Sequence, residues 1–305
     1  LSEQPITSLR RLSIVIPAYN EESGIDGVLT QLSGLRTGLD ATGWQTEVIV
    51  VDDGSADRTA EIAGQHSDVT LIRHRANRGY GAALKTGIRH THSDLICITD
   101  ADGTYPNERI PELAARLVEG EYDMVVGART GEKVAIPLKR RPAKWVIGQL
   151  ANYVAGEPIP DLNSGLRIFK RDVALRFFGI LPDGFSFTTT ITLGMLTNGY
   201  LVDYIPINYH ARQGKSKIKP IQDTLRFMQL VARIALYFTP LKIFTPLSLI
   251  MFLTAIIWGF FTKLVFGRLA DTSTMVLVTT AIEVFMIGML AELINQRLPN
   301  AYDKE

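Results

Sequence analysis

From Ile243 to Phe266 the chain carries one charged side chain, Lys263, in 24 residues, and from Ser273 to Ile294 only Glu283 and Glu292. A helix needs about 20 mostly apolar residues to cross the hydrocarbon of a bilayer, and each run is long enough. The six residues between them, Gly267 to Thr272, leave room for a helical hairpin and nothing larger. Few soluble folds bury two such helices side by side. The sequence therefore predicts an integral membrane protein, with transmembrane helices over 243–266 and 273–294 and a short tail at 295–305.

Basic residues give this hairpin a direction. Arg212, Lys215, Lys217, Lys219, Arg226 and Lys242 precede it and Arg297 follows it. Lysine and arginine favour the cytoplasmic side of a membrane, so both hairpin ends and the domain before them are expected there. The polar start, LSEQPITSLRRLS, leads straight into a strand and does not read as a signal peptide. A single cysteine, Cys97 inside an apolar run, excludes an internal disulfide. Residues 221–238 set apolar side chains at 221, 225, 228, 231 and 235, which predicts an amphipathic interfacial segment over 220–242. Glu283 is costly in lipid and points to a helix neighbour or a homo-oligomer contact.

Residues 1–219 have a different texture. Short apolar runs, LSIVIPAY, EVIVVDD, VTLIR, DLICITD and DMVVGAR, alternate with helical patterns over 21–39, 55–64, 81–90 and 107–120. Such alternation predicts an α/β fold, a mostly parallel sheet with flanking helices. Ser55 is a candidate cap for the second helix. Ligands of such sheets bind beyond the carboxyl ends of the strands, and the acids collect there. The first run ends in Pro17, Tyr19 and Glu21, the second in Asp52 and Asp53, the fourth in Asp100 and Asp102. Carboxylates crowded on one rim repel unless a cation or hydrogen-bond donors meet them. Mg²⁺ or Mn²⁺ takes oxygen ligands, commonly one or two carboxylates together with substrate phosphates. Asp100 and Asp102 are candidate ligands on that reasoning. The first strand lacks G-x-G-x-x-G and no G-x-x-x-x-G-K-[ST] occurs, which disfavours a dinucleotide oxidoreductase and a P-loop enzyme. NRGYGAALKTG is better explained as a tight turn, with Gly81 permitting close packing, than as a phosphate cradle. A net charge of +1 gives no sign of a nucleic-acid partner.

Six segments in order, SIVIPAYNEE, VVDDGSADRT, NRGYGAALKTGI, DADGTYP, VVGAR and NSGLRIF, resemble the motifs of family 2 glycosyltransferases with the GT-A fold. The likeness spans about residues 12–219. With two C-terminal membrane helices it is similar to the polyprenyl-phosphate glycosyltransferases, the group that includes dolichyl-phosphate mannose synthase.

The resemblance implies transfer of a hexose from a nucleotide-diphosphate sugar to a polyprenyl or dolichyl phosphate at the cytoplasmic face of a bilayer. Pro17, Tyr19, Glu21 and Asp53, with Asp52 beside them, match positions that hold the donor nucleoside. Asp100 and Asp102 match the metal pair on its diphosphate. Arg129 and Arg141 match arginines at the acceptor phosphate. Ser164 and Arg167 belong to a loop at the reaction centre, where Asp161 either orients the acceptor or caps the loop. Arg212, Lys215 and Lys217 resemble a basic loop that closes over the phosphates. Thr104 stands where the mannose synthases have a glutamine ligand, which favours a UDP-sugar over GDP-mannose. A lipid phosphate, deprotonated at neutral pH with a second pKa of about 6, attacks without a strong base, and direct displacement predicts inversion. The alternatives are a processive polysaccharide synthase, which usually carries a Q-x-x-R-W absent here, and a non-enzymatic sugar-nucleotide-binding scaffold.

Overall fold

A computed structural model describes residues 10–130, 141–209, 220–267 and 271–297. Nine-residue strands β1 (Arg10–Ala18) and β2 (Trp44–Asp52) are joined through helix α1 (Ile25–Ala41). Then come α2 (Thr59–Gln65), β3 (Val69–Arg73), α3 (Tyr80–His90), β4 (Leu95–Ile98), α4 (Ile110–Glu119) and β5 (Met124–Ala128). The remainder is α5 (Arg141–Ala155), β6 (Arg167–Lys170), α6 (Arg171–Arg176), α7 (Phe187–Thr197), β7 (Val202–Pro206), α8 (Pro220–Phe238), α9 (Pro240–Phe266) and α10 (Asp271–Arg297).

The strands form one seven-stranded sheet in the order β3-β2-β1-β4-β6-β5-β7. β1 pairs in parallel with both β2 and β4, whereas β6 runs antiparallel to β4 and β5. Parallel strands buried on both faces need apolar side chains on both, and the alternation in β1 supplies them. Leu12, Ile14 and Ile16 face α1 and α4, while Val15 faces α3 with Ile96, Ile98 and Phe169. The expectation of a mostly parallel sheet holds, and the reversal of β6 adds something the alternation did not contain. Because β6 runs backwards, the loop that precedes it arrives at the rim where the other strands end.

Helix starts differ from the sequence reading. Residues 21–24 form a turn in which Glu21 O accepts the Gly24 and Ile25 amides, so α1 begins later than expected. Ser55 does not cap α2. Its hydroxyl accepts the Asn20 amide, and Asp57 instead receives the Thr59 amide and hydroxyl. Local carboxylate-to-amide bonds of this kind compete well against a serine four residues upstream.

α8 lays Val231, Ile234 and Ala235 on a small core with Ala151, Val154 and Leu193 of α5 and α7. The helix stops at Phe238, and α9 starts at Pro240, three residues before the expected span. α9 and α10 form the hairpin. Their apolar side chains face outward, with Ile257, Phe260, Leu264 and Met275 all exposed, the reverse of a soluble core. Glu283 is exposed as well. The hairpin is bonded to the domain at one end. Lys242 Nζ donates to Val154 O at 2.8 Å, Tyr153 Oη donates to Lys242 O at 2.9 Å, and Asn295 Nδ2 donates to Tyr237 O at 2.5 Å.

Candidate active site

The sheet order reverses between β1 and β4. A crevice opens at such a switch point, beyond the carboxyl ends of the two strands. One wall is the turn after β1. Pro17 is buried, Tyr19 is 46% exposed and Asn20 takes φ 56°, a left-handed conformation that asparagine tolerates better than most residues. The turn is stitched to the β2–α2 loop by bonds that would be lost if either moved alone. Asn20 Oδ1 accepts the Ala56 amide, the Glu21 amide reaches Thr59 Oγ1 at 2.8 Å, and the Glu22 amide reaches Asp57 Oδ2 at 3.2 Å.

Asp52 and Asp53 lie at the base of this wall, both buried. Asp52 accepts the Ser55 amide on Oδ1 and Arg73 Nε on Oδ2. Asp53 has a closer set of partners. Its Oδ1 accepts His74 Nδ1 at 2.7 Å and the Arg78 amide at 2.9 Å, and its Oδ2 accepts the Gly79 amide at 2.8 Å. The amides of the glycine-rich segment thus cradle a carboxylate of the chain itself. Gly81 does permit close packing, since a Cβ there would fall 2.1 Å from Pro182 O. His74 is a site residue that spacing did not reveal. Its Nε2 lies 2.9 Å from Thr86 Oγ1, which fixes the ring from both sides.

The opposite wall is the segment after β4. Asp100 and Asp102 are both half-buried. Tyr80 Oη donates to Asp100 Oδ1 at 3.0 Å, and Thr104 donates to Asp102 Oδ1 from its hydroxyl at 2.6 Å and from its amide at 3.1 Å. Gly165 lies against the other side of Asp100, where a Cβ would stand 3.0 Å from Oδ1 and 3.1 Å from Oδ2. Burial and the neighbouring Asp100 charge push the Tyr80 phenol well above its ordinary value, so it stays a proton donor. Among the described residues no third acid, histidine or cysteine completes a metal-binding cluster. Two carboxylates alone fit a hard cation that fills its remaining positions with phosphate oxygens and water.

The loop before β6 closes the crevice. Arg129, at the end of β5, donates from Nε to Asp161 Oδ2 at 2.7 Å and from Nη2 to Asp161 Oδ1 at 3.0 Å. Asp161 also receives the Arg129 and Asn163 amides, so it both caps the loop and orients the arginine. Burial alone would lower the Arg129 pKa, but the bonds to Asp161 outweigh it and raise the value. Burial likewise raises Asp161, and Arg129 more than reverses that, leaving the carboxyl below its ordinary range. Arg129 lies over the Tyr209 ring, Tyr209 meets Tyr105 edge to face, and Tyr105 Oη accepts the Gly165 amide at 2.6 Å. This contact chain joins Arg129 to Asp100 across one rim.

Ser164 and Arg167 are placed beneath that rim. Both are fully buried. Ser164 Oγ donates to Gly127 O at 2.5 Å, and Arg167 donates to Ser164 O, to Thr188 O at 3.1 Å and to Thr192 Oγ1 at 2.7 Å. Desolvation lowers the Arg167 pKa, and no carboxylate is bonded to it among the described residues. An arginine bonded to carbonyls in this way holds the backbone of the loop in place. Arg141 opens α5, and its side chain, like Arg212, Lys215 and Lys217, lies outside the described residues.

Known proteins match this chain in both parts. Residues 13–178 match the family model described as glycosyl transferase family 2, and residues 239–296 match the GtrB C-terminal hairpin. The dolichyl-phosphate hexose transferase of Haloferax volcanii is 30% identical over 210 residues, covering 68% of this chain and 87% of that protein. The undecaprenyl-phosphate 4-deoxy-4-formamido-L-arabinose transferase of Salmonella typhimurium is 33% identical over 170 residues, covering 54% of this chain and half of its relative. In fold, the chain resembles glucosyl-3-phosphoglycerate synthase from Mycobacterium tuberculosis, solved with Mn²⁺, uridine diphosphate and phosphoglyceric acid. The TM-score is 0.58 at 22% identity, over 74% of this chain and 78% of that one. A GT-A sheet with its acids on the switch-point rim, followed by an apolar helical hairpin, makes the protein a glycosyltransferase of family 2.

Proposed function

We propose that this enzyme transfers a hexose from a nucleotide-diphosphate sugar to a polyprenyl phosphate, with the catalytic domain on the cytoplasmic side of the membrane that the hairpin crosses. The observation that carries the reading is the single rim on which Asp100, Asp102 and the Arg129–Asp161 pair meet, in a chain that ends in an outward-facing apolar hairpin. The names of the curated relatives, a dolichyl-phosphate hexose transferase and an undecaprenyl-phosphate sugar transferase, support it.

Each part of the rim then has a task. The Tyr19 turn and the Asp52–Asp53 pair form the wall for the donor nucleoside. Asp100 and Asp102 hold Mg²⁺ or Mn²⁺, which when bound supplies positive charge to a departing diphosphate. Arg129, oriented by Asp161, offers its guanidinium to the acceptor phosphate, and Arg141 and Lys215 are further candidates for that anion. Arg212 and Lys217 are candidates to cover the donor phosphates. No general base is required of the protein, because the lipid phosphate is already an anion at neutral pH. Attack on the anomeric carbon opposite the leaving diphosphate inverts it. A UDP-hexose is the favoured donor, since the Thr104 hydroxyl is committed to Asp102 rather than standing in for an amide ligand.

The test is a panel of radiolabelled sugar nucleotides given to detergent-purified protein with a polyprenyl phosphate and Mg²⁺ or Mn²⁺. The expected outcome is an organic-soluble glycolipid from one donor, lowered about 100- to 1000-fold by Asp102→Ala. Absence of product from every donor overturns the reading.

A further inference from the structure

The two acids of the D-x-D segment do not rely on a metal to fix their orientation. Tyr80 comes from the start of α3, 20 residues before Asp100, and places its hydroxyl 3.0 Å from Asp100 Oδ1. Thr104, buried at 1% exposure, gives both its hydroxyl and its amide to Asp102 Oδ1. Each carboxylate is therefore gripped through one oxygen by a neutral hydroxyl donor. From these bonds we infer that Tyr80 and Thr104 are a pair of positioning residues. They hold Asp100 and Asp102 at the spacing one divalent cation requires, and they raise the affinity of the site for that cation.

Three features support this assignment. First, both donors are hydroxyls, a phenol and an alcohol, rather than charged groups. A neutral donor orients a carboxylate without cancelling the charge a cation needs, as a lysine or arginine would. Second, Tyr80 is itself braced. The Phe185 ring stacks on it at 5.5 Å and 21°, on a segment tied to α3 by the Ala82 amide to Asp183 O at 3.0 Å and by Lys85 Nζ to Asp183 Oδ1 at 2.8 Å. Third, Gly165 closes the far side of Asp100, which leaves that carboxylate little room to swing. Partners of this kind behind metal ligands typically contribute 10- to 100-fold in metal affinity.

The inference rests on the metal reading proposed above, and the experiment separates the two. Mn²⁺ binding to the full-length protein in detergent is followed by electron paramagnetic resonance, with and without UDP as probe. Thermal unfolding is recorded for each variant. Tyr80→Phe and Thr104→Val are expected to weaken Mn²⁺ binding about 10-fold or more each while the unfolding midpoint stays near that of the parent. Thr104→Ser, which keeps the hydroxyl, is expected to restore affinity. Should Thr104→Val fail to fold, the comparison of Tyr80→Phe with Thr104→Ser carries the test. Parental Mn²⁺ affinity and line shape in Tyr80→Phe, or in a folded Thr104→Val, overturn the inference and leave the metal reading standing. A parent protein that takes up no Mn²⁺ in either condition overturns both.

Discussion

The hydroxyl of Thr104 donates to Asp102 Oδ1 at 2.6 Å, closing a two-residue ring with the Thr104 amide on the same oxygen. Threonine at this position donates to the carboxylate beside it. The side chain is buried, so an amide two bonds longer must displace its neighbours. Thr104→Gln is therefore expected to cost about 1–3 kcal/mol by overpacking, without gaining use of GDP-mannose. Thermal unfolding and a donor panel check both halves.

Asp102→Ala and Asp100→Ala are each expected to lower transfer by two to three orders of magnitude, the scale on which losing one preorganised electrostatic group acts. Their thermal midpoints should change little, because neither side chain is part of the apolar core. Radiolabel transfer and a thermal scan on the same preparation provide the measurement.

Asp161 is the paired carboxyl from which a pH dependence follows. Its pKa in the folded protein is depressed: burial opposes the shift, and the Arg129 bonds exceed it. A carboxyl of this kind stabilises the fold above its unfolded value of about 3.9, and that contribution is lost as pH falls through the lower folded value. Asp161→Asn should cost about 3 kcal/mol at pH 7, because it leaves the Arg129 charge buried and uncompensated. It should also flatten the acid limb of stability below about pH 4. Urea unfolding from pH 2 to 7 reads both effects.

Arg167→Met removes a guanidinium from three oxygen acceptors and takes from the buried Ser164 carbonyl its guanidinium donor, whereas Thr188 O keeps the Thr192 hydroxyl. A buried acceptor without its partner costs about 1–3 kcal/mol, so the variant should unfold several degrees lower. Its residual transfer should fall in step with the folded fraction if the arginine only shapes the loop. A steeper fall, measured on folded protein, would assign it a direct part in the reaction.

His74→Ala takes away one of the three donors to Asp53 and one wall of its pocket. Donor KM is expected to rise about 10-fold, the equivalent of a single hydrogen bond to a charged group, with Mn²⁺ affinity unchanged. Initial rates at varied sugar nucleotide, beside a Mn²⁺ titration, separate the two walls of the crevice.

Much of this arrangement was legible in the sequence because strands write their burial directly. LSIVIPAY and DLICITD can only be interior, so the acids that follow them must be at an edge. The reversed β6 was not legible, since a four-residue strand has the same pattern in either direction. Nor were the partners of the acids. Tyr80 meets Asp100 and His74 meets Asp53 across some twenty residues, through a register that exists only once α3 is seated on the sheet. Tyr80 and Tyr105 nevertheless lie inside the recognised motifs NRGYG and DADGTYP, where a phenol so near paired acids was a usable signal. The burial of Arg167 was not legible either, since two of the oxygens that make it tolerable, Thr188 O and Thr192 Oγ1, come from α7.

The bonds from Lys242 and Tyr153 across the α5–α9 junction, with Asn295 on Tyr237, tie the domain to its hairpin at one end. On the proposed reading, a catalytic head tied in this way to a membrane hairpin works on the lipids that diffuse beneath it. Its turnover should then obey surface dilution: at constant bulk acceptor, adding inert phospholipid slows the reaction, because encounters depend on molecules per area of membrane rather than per volume of water.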